Sequence, residues 1–307
     1  VEETYNRPFI DRVFRNILSF ILPRPKVFLS LAILTKFIKP ISFLMPEFLR
    51  NSLKLMPDKI PSKKIKTQKI YSPQSGKIIS RVALLTGCVQ RVISPEINEA
   101  TIRLLNRHNV EVVVMPDIDC CGSLNHHLGK KDKAENSFVK NIKSWHNEYL
   151  ANGLDAIISN TSGCGTTLKD YGHIFRNDKE LKKQAKKISE LTKDITEFLD
   201  ENLKLNIKKN EEKKYKIAYH SACSMQHGQK VHDQPKQLIS KTGNEVLDIP
   251  EGHLCCGSAG TYNILHQKMA KSLLKNKVSN IEKIGPDFIS TGNIGCMTQI
   301  STGTRIP

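Results

Sequence analysis

The chain is 307 residues long, 39% hydrophobic and 25% charged, the composition of a soluble globular protein with room for one large domain or two of ordinary size. Its net charge of +17 is uneven: residues 1–70 carry 14 Lys and Arg against 5 Asp and Glu. That excess suits an anionic membrane surface, an acidic partner or nucleic acid, or simply a solvated basic face. No stretch reaches the roughly 18 consecutive apolar residues that span a bilayer. The most apolar part, Val27 to Leu44, is interrupted by Lys36, Lys39 and Pro40 and is not expected to be a transmembrane helix. Glu2, Glu3 and Asp11 stand where a signal peptide would be basic, and Pro23 breaks the apolar run. Without an export signal, the cysteines are expected in a reducing cytosol, where metal ligation outranks disulfide bonding.

In chain order, residues 1–80 read as a basic helical leader and linker. Pro8, Pro23, Pro25, Pro40, Pro46, Pro57 and Pro61 punctuate short amphipathic helices, with Val13, Ile17, Phe20 and Ile21 at helical spacing, and residues 71–80 read as a loop. Residues 81–213 and 214–307 then form two copies of one unit. In each, a short apolar strand delivers a cysteine: Val82-Ala-Leu-Leu-Thr-Gly-Cys88, and Ile217-Ala-Tyr-His-Ser-Ala-Cys223. A helix follows, marked in the first copy by Ile97, Ile102, Leu104 and Leu105. A second strand comes next, at Val110–Met115 or Asn244–Ile249, and then a Cys-Cys-Gly, at Cys120-Cys121-Gly122 or Cys255-Cys256-Gly257. Helices are predicted over Lys133–Leu150 and Gln267–Lys283. Third strands at Asp155–Asn160 and Asp287–Thr291 lead to Cys164 and Cys296. A further helix is predicted over Glu180–Leu205; with 11 residues after Cys296, its counterpart is expected to be missing.

Strands alternating with helices predict an α/β fold of two tandem βαβ domains with small parallel sheets, preceded by the helical leader. Right-handed crossovers put the three strand C-termini of a unit on one edge, where an open α/β sheet places its ligand. Every cysteine of the chain lies just past such an end. Cys88, Cys120, Cys121 and Cys164 form one set, and Cys223, Cys255, Cys256 and Cys296 the other, with 31 residues between the lone cysteine and the pair in both. Four thiolates suit zinc or the iron of an iron–sulfur cluster. Adjacent cysteines cannot easily close a disulfide with each other but can share a multinuclear cluster, and Gly122 and Gly257 would relieve crowding beside a bulky ligand. The bland alternative is cysteine as a small buried hydrophobe, which the matching offsets disfavour; a metal-free redox dithiol is a further one. His126, His127, His220, His227, His232 and His253 lie near the cysteines, but none recurs in the other copy, and they read as supporting or surface groups. There is no G-x-G-x-x-G fingerprint, no Walker loop and no ferredoxin cysteine run.

At these residues the chain resembles the duplicated cysteine-rich family whose members include the iron–sulfur subunit of glycolate oxidase, lactate-utilisation iron–sulfur proteins and a heterodisulfide reductase subunit. Thr86-Gly-Cys-Val-Gln90, Thr161-Ser-Gly-Cys-Gly165, Ala222–Gln229 and Cys255–Asn263 look closest to the glycolate oxidase subunit, as does the leader from Tyr5 to Pro57. The resemblance implies a [4Fe–4S]-type cluster on the eight cysteines, with zinc possible in one repeat. It also implies flavin-bearing partner subunits that oxidise glycolate, electron delivery to a quinone pool, and a place on the cytoplasmic face of the membrane. The lactate-utilisation relatives and a zinc scaffold are the alternatives, and nucleic acid is not an expected partner. The family signature closes in C-x-x-C, whereas this chain has Thr167 and Gln299 at the last position. The resemblance also implies a ferredoxin module ahead of residue 1.

Overall fold

The computed structural model describes residues 4–56, 70–207 and 213–307; Glu2, Glu3, Pro57 and Pro61 lie outside the described residues. Two compact units can be drawn. One comprises Val1–Phe37, Asp58–Ile157 and Thr167–Thr192, the other Ile38–Pro57, Ile158–Thr166 and Lys193–Pro307. The fold is mixed α/β, with two small sheets rich in parallel pairing.

The larger sheet has five strands: β1 (Ile70–Tyr71), β2 (Ser80–Leu85), β3 (Val110–Val113), β4 (Ala156–Ser159) and β5 (Thr192–Asp194), in the order β1-β3-β2-β4-β5. β2 pairs parallel with β3 from Ser80↔Val110 to Ala83↔Val113, and β1 lies antiparallel at the edge. Tyr71, expected in the loop, therefore belongs to a strand. The second sheet has β6 (Lys216–His220), β7 (Glu245–Asp248) and β8 (Phe288–Thr291) in the order β7-β6-β8, all parallel. Both sheets place the first strand of the repeat between the second and the third. Val82, Ala83, Leu84 and Leu85 are all buried, an unbroken apolar run rather than an alternation, as a parallel strand covered on both faces requires.

The long helix of the first repeat, Lys131–Asn152, buries Ala134, Phe138, Asn141, Ile142 and Trp145 at three- and four-residue spacing and stops at Gly153. Its counterpart in the second unit runs over Gln267–Lys283 and buries Ala270, Lys277, Val278 and Ile281. The single helix predicted over Glu180–Leu205 is two. Lys182–Leu191 ends where Thr192 turns extended to enter β5, and Ile195–Asn202 restarts from a capping box. The Asp194 carboxylate accepts the Thr196 N–H at 2.9 Å, and Glu197 accepts the Asp194 N–H at 2.7 Å. This local capping outweighs the helical periodicity on either side.

The leader is helical over Phe9–Ile21, Pro25–Ile38 and Glu47–Lys54, with a 3₁₀ segment at Lys39–Leu44. Helix Phe9–Ile21 turns Arg15, Leu18 and Ser19 inward; Ser19 Oγ donates to Asn125 Oδ1 at 2.8 Å and Lys133 Nζ to Ser19 Oγ at 3.2 Å. Its apolar residues Phe9, Ile10, Val13, Ile17 and Phe20 face outward. Lys36, Lys39 and Pro40 do not break the apolar run, because Pro40 falls in the first turn of the 3₁₀ segment, where its missing N–H costs nothing. Pro25–Leu44 is helical for 20 residues and contains an 18-residue window of mean hydropathy 1.7, long and apolar enough to cross a membrane by length and composition only. Asp194→Ala, which removes the capping box, is expected to lower unfolding stability by about 1–2 kcal/mol in a denaturant titration, without loss of the flanking strand signal in circular dichroism.

Candidate metal centres

None of the eight cysteines is in a disulfide; Cys88, Cys120, Cys121, Cys256 and Cys296 are buried, and Cys164, Cys223 and Cys255 are half-buried. In the first unit Cys88 follows β2, and Cys120-Cys121 follows β3. Cys120 lies in thiol contact with Cys121 and Cys88, and these contacts, with the Gly122 N–H, hold it well below the ordinary thiol range despite burial. The backbone of the pair is braced by buried polar groups. Asn141 Nδ2 donates to the Cys120 carbonyl at 2.8 Å, and Tyr171 Oη donates to the Cys121 carbonyl at 2.7 Å. Cys164 sits on helix Ser162–Lys169 just past β4, in the segment Ile158–Thr166 that belongs to the second compact unit.

In the second unit all four cysteines of the repeat form one chain of contacts. Cys255 touches Cys223 and Cys256, and Cys256 touches Cys296. Cys223 precedes a π-helical turn at Ser224–Gln229, and Cys296 stands in the first turn of helix Ile294–Ser301. Asn293 caps that helix by accepting the Gly295 and Cys296 N–H groups at 2.8 and 3.3 Å. The Cys223 and Cys256 thiols pull Cys255 strongly toward the thiolate, while contact with Cys255 pushes Cys223 up. Cys256 is likewise pushed up by Cys255 and Cys296, and Cys296 is pulled down, first by Cys256. The thiols share protons because adjacent buried thiolates repel one another. All four can ionise together only around a cation, which is what a soft metal centre supplies.

Each Cys-Cys pair is seated by its glycine. Gly122 and Gly257 have left-handed φ of 84° and 91°. Their N–H groups point back at Cys120 Sγ (3.4 Å) and Cys255 Sγ (3.3 Å). A Cβ on Gly122 would meet the Phe138 ring at 2.5 Å, and one on Gly257 would meet the Ala270 carbonyl oxygen at 2.5 Å. The crowding these glycines relieve comes from the following helix, so close helix–turn packing is a further reason for glycine at both places.

Two groups escaped the sequence reading. His220, the last residue of β6, is fully buried, and a ring nitrogen lies within 4.8 Å of the sulfurs of Cys256 and Cys296. Neither of its ring nitrogens has an oxygen or nitrogen partner, and the ring helps pull the Cys296 thiol down. The other five histidines near the cysteines are exposed. The signal was available: His220 aligns with Leu85 of the first repeat, and its failure to recur marked a difference between the two sites rather than an unimportant residue. The second group is Lys277, 1% exposed, whose Nζ donates to the Glu251 and Gly252 carbonyls at 3.0 and 3.3 Å. Burial lowers its pKa, and attraction to Cys256, Cys223 and Cys255 opposes that shift.

Converging buried sulfurs, backbone donors aimed at them and an orphaned imidazole define a metal-binding class of cysteine-rich domain. Residues 82–169 and 217–301 match the cysteine-rich domain family CCG, and the chain belongs to that family. Among curated relatives it is 34% identical to the glycolate oxidase iron–sulfur subunit of Escherichia coli strain K12, over 99% of this chain and 71% of that protein. It is 30% identical to the probable glycolate oxidase iron–sulfur subunit of Bacillus subtilis strain 168, over 84% of this chain and 58% of the relative. Lactate utilization protein A of Oceanobacillus iheyensis is 25% identical over 73% of this chain and 90% of its own length.

Gly257→Ala is expected to cost more than about 2 kcal/mol, because it combines a disfavoured φ with contact against a fixed helix backbone. Gly122→Ala is expected to cost less, because the Phe138 ring can turn aside. Thermal unfolding of the two variants side by side measures the difference.

Proposed function

We propose that this chain is the iron–sulfur electron-transfer subunit of a multisubunit glycolate dehydrogenase. The observation that carries the reading is the contiguous four-cysteine constellation of the second unit, with three cysteines of the first repeat also drawn together. Similarity to two glycolate oxidase iron–sulfur subunits supports the substrate. Glycolate gives up two electrons and two protons to become glyoxylate, and a flavin-bearing partner would take them. A cluster bound to the cysteines of this chain would accept and release those electrons one at a time. They would leave for a quinone, which takes two electrons and two protons.

The residues present fit such a cofactor. Cys88, Cys120, Cys121 and Cys164 would hold one centre, and Cys223, Cys255, Cys256 and Cys296 the other, each of the [4Fe–4S] type. The Gly122 and Gly257 N–H groups donate to sulfur and stabilise negative charge there. Burial of Cys121 and Cys256 keeps water from the sulfurs. The Lys277 ammonium offsets thiolate charge in the second unit. The outward apolar face of helix Phe9–Ile21, in a basic leader, supports docking on an anionic membrane surface at the cytoplasmic side. Similarity to lactate utilization protein A favours lactate as the second reading.

Anaerobic reconstitution with iron and sulfide is expected to load the chain with iron and acid-labile sulfide and to give a redox-dependent EPR signal. Cys120→Ser and Cys255→Ser should each remove part of both. Stoichiometric zinc with no such signal would overturn the electron-transfer role. With partner subunits present, reduction of a quinone analogue by lactate but not glycolate would shift the substrate. Lys277→Met is expected to keep the metal content and lower a midpoint potential, read by EPR-monitored titration, because the buried positive charge favours the reduced state.

A further inference from the structure

The second unit has a donor that the first lacks. His220 ends β6 at the edge where the cysteines converge, and it is fully buried with no oxygen or nitrogen partner for either ring nitrogen, its polar neighbour being the Cys296 thiol. A buried imidazole without a partner loses about 1–3 kcal/mol of hydrogen bonding, so folding it into this position needs a compensating interaction. No protein oxygen or nitrogen supplies one, and the Cys296 thiol is the polar group that meets the ring. Ser221 Oγ and Thr291 Oγ1 are also buried and unpartnered, and Thr291 stands in register with His220 on β8. Three orphaned polar side chains thus collect at the same sheet edge as the sulfurs. Such a group of side chains is expected where a ligand belongs.

The fifth donor position of the family signature is taken by Gln299, and it is not available. Its Oε1 accepts from Asn263 Nδ2 at 2.9 Å, and the residue is buried. His220 instead offers a buried donor at the thiols themselves, within 4.8 Å of Cys256 Sγ and Cys296 Sγ. Imidazole nitrogen and thiolate sulfur are compatible donors for iron and zinc alike.

We infer that a ring nitrogen of His220 is a direct ligand of the metal centre of the second repeat, making that centre mixed nitrogen–sulfur while the first repeat, with Leu85 at the aligned place, is all-sulfur. The inference rests on the metal-binding reading of the cysteines given above. A thiolate carries one negative charge more than a neutral imidazole, so putting cysteine in place of His220 lowers the reduction potential of that centre.

The test uses the full chain, reconstituted anaerobically with iron and sulfide, with histidine supplied as ¹⁴N or ¹⁵N. Pulsed EPR of the reduced protein is expected to show a nitrogen coupling of metal-bound imidazole that changes with the isotope and vanishes in His220→Leu. His220→Cys is expected to keep its iron and to lower one midpoint potential; it also covers the case in which the leucine variant fails to fold, which circular dichroism reports. A loaded wild-type protein without the nitrogen coupling, a coupling that survives in His220→Leu, or an unchanged potential in His220→Cys overturns the histidine ligand and leaves the cluster assignment standing. If the chain takes up zinc instead, the cluster assignment falls, and cobalt(II) put in place of zinc decides the ligand. Absorption bands that shift in His220→Leu sustain it, and unchanged bands overturn it. Failure to bind any of these metals overturns both.

Discussion

The second unit depends on one close approach, the Cys255-Cys256-Gly257 turn seated on the helix behind it. Two adjacent side chains normally diverge. Here the left-handed glycine reverses the backbone directly after the pair, and its bare Cα lies against Ala270 of helix Gln267–Lys283. The reversal turns the glycine N–H back toward the first sulfur, while the second sulfur faces Cys296. The first unit makes the same turn against Phe138, with Asn141 and Tyr171 holding the two cysteine carbonyls. A parallel sheet then does the remaining work. With the first strand of each repeat in the middle, its lone cysteine emerges between the loops that carry the others.

On this shared backbone the two sites differ in electrostatics. The first repeat offers Leu85 at the end of its central strand and Ile142 on its long helix, both apolar and buried. The second offers His220 at the aligned strand position and Lys277 at the same 135-residue offset on its helix. The lysine moves the local charge in the positive direction, and burial raises its effect, because a charge in a poorly screened interior acts on its neighbours more strongly than at a surface. The Lys277 ammonium is held by two carbonyls and faces the thiols, so it remains a fixed counter-charge rather than a mobile surface group.

Much of the fold was legible in the sequence because its signals are strong and local. Helix Gln267–Lys283 occupies the predicted residues, and the six repeat strands fall within a residue or two of theirs. Where the reading failed, a short-range interaction outranked periodicity. The Asp194 capping box split a predicted helix in two. At the sites, the cysteines stood out because thiols paired at equal offsets have few other uses. His220 did not, because a repeat comparison rewards recurrence, and its importance lies in not recurring. Lys277 was hidden among 47 basic residues of which most are solvated, and only burial distinguishes it.

The leader shows the limit of amphipathic pattern as evidence. Periodicity at Val13, Ile17 and Phe20 predicts a helix, and the helix forms, but pattern cannot say which face turns inward. Here Leu18 faces the protein with Arg15 and Ser19, the latter two tied down by Asp11, Asn125 and Lys133, and most of the apolar stripe faces out. Exposing five large apolar side chains on one short helix costs hydrophobic stabilisation at about 25 cal/mol per Å². A polar inner face recovers part of that through hydrogen bonds, but the stripe gains its stabilisation only when a further apolar surface covers it. The folded chain therefore holds an uncovered apolar face on helix Phe9–Ile21 and clustered thiols in its repeats.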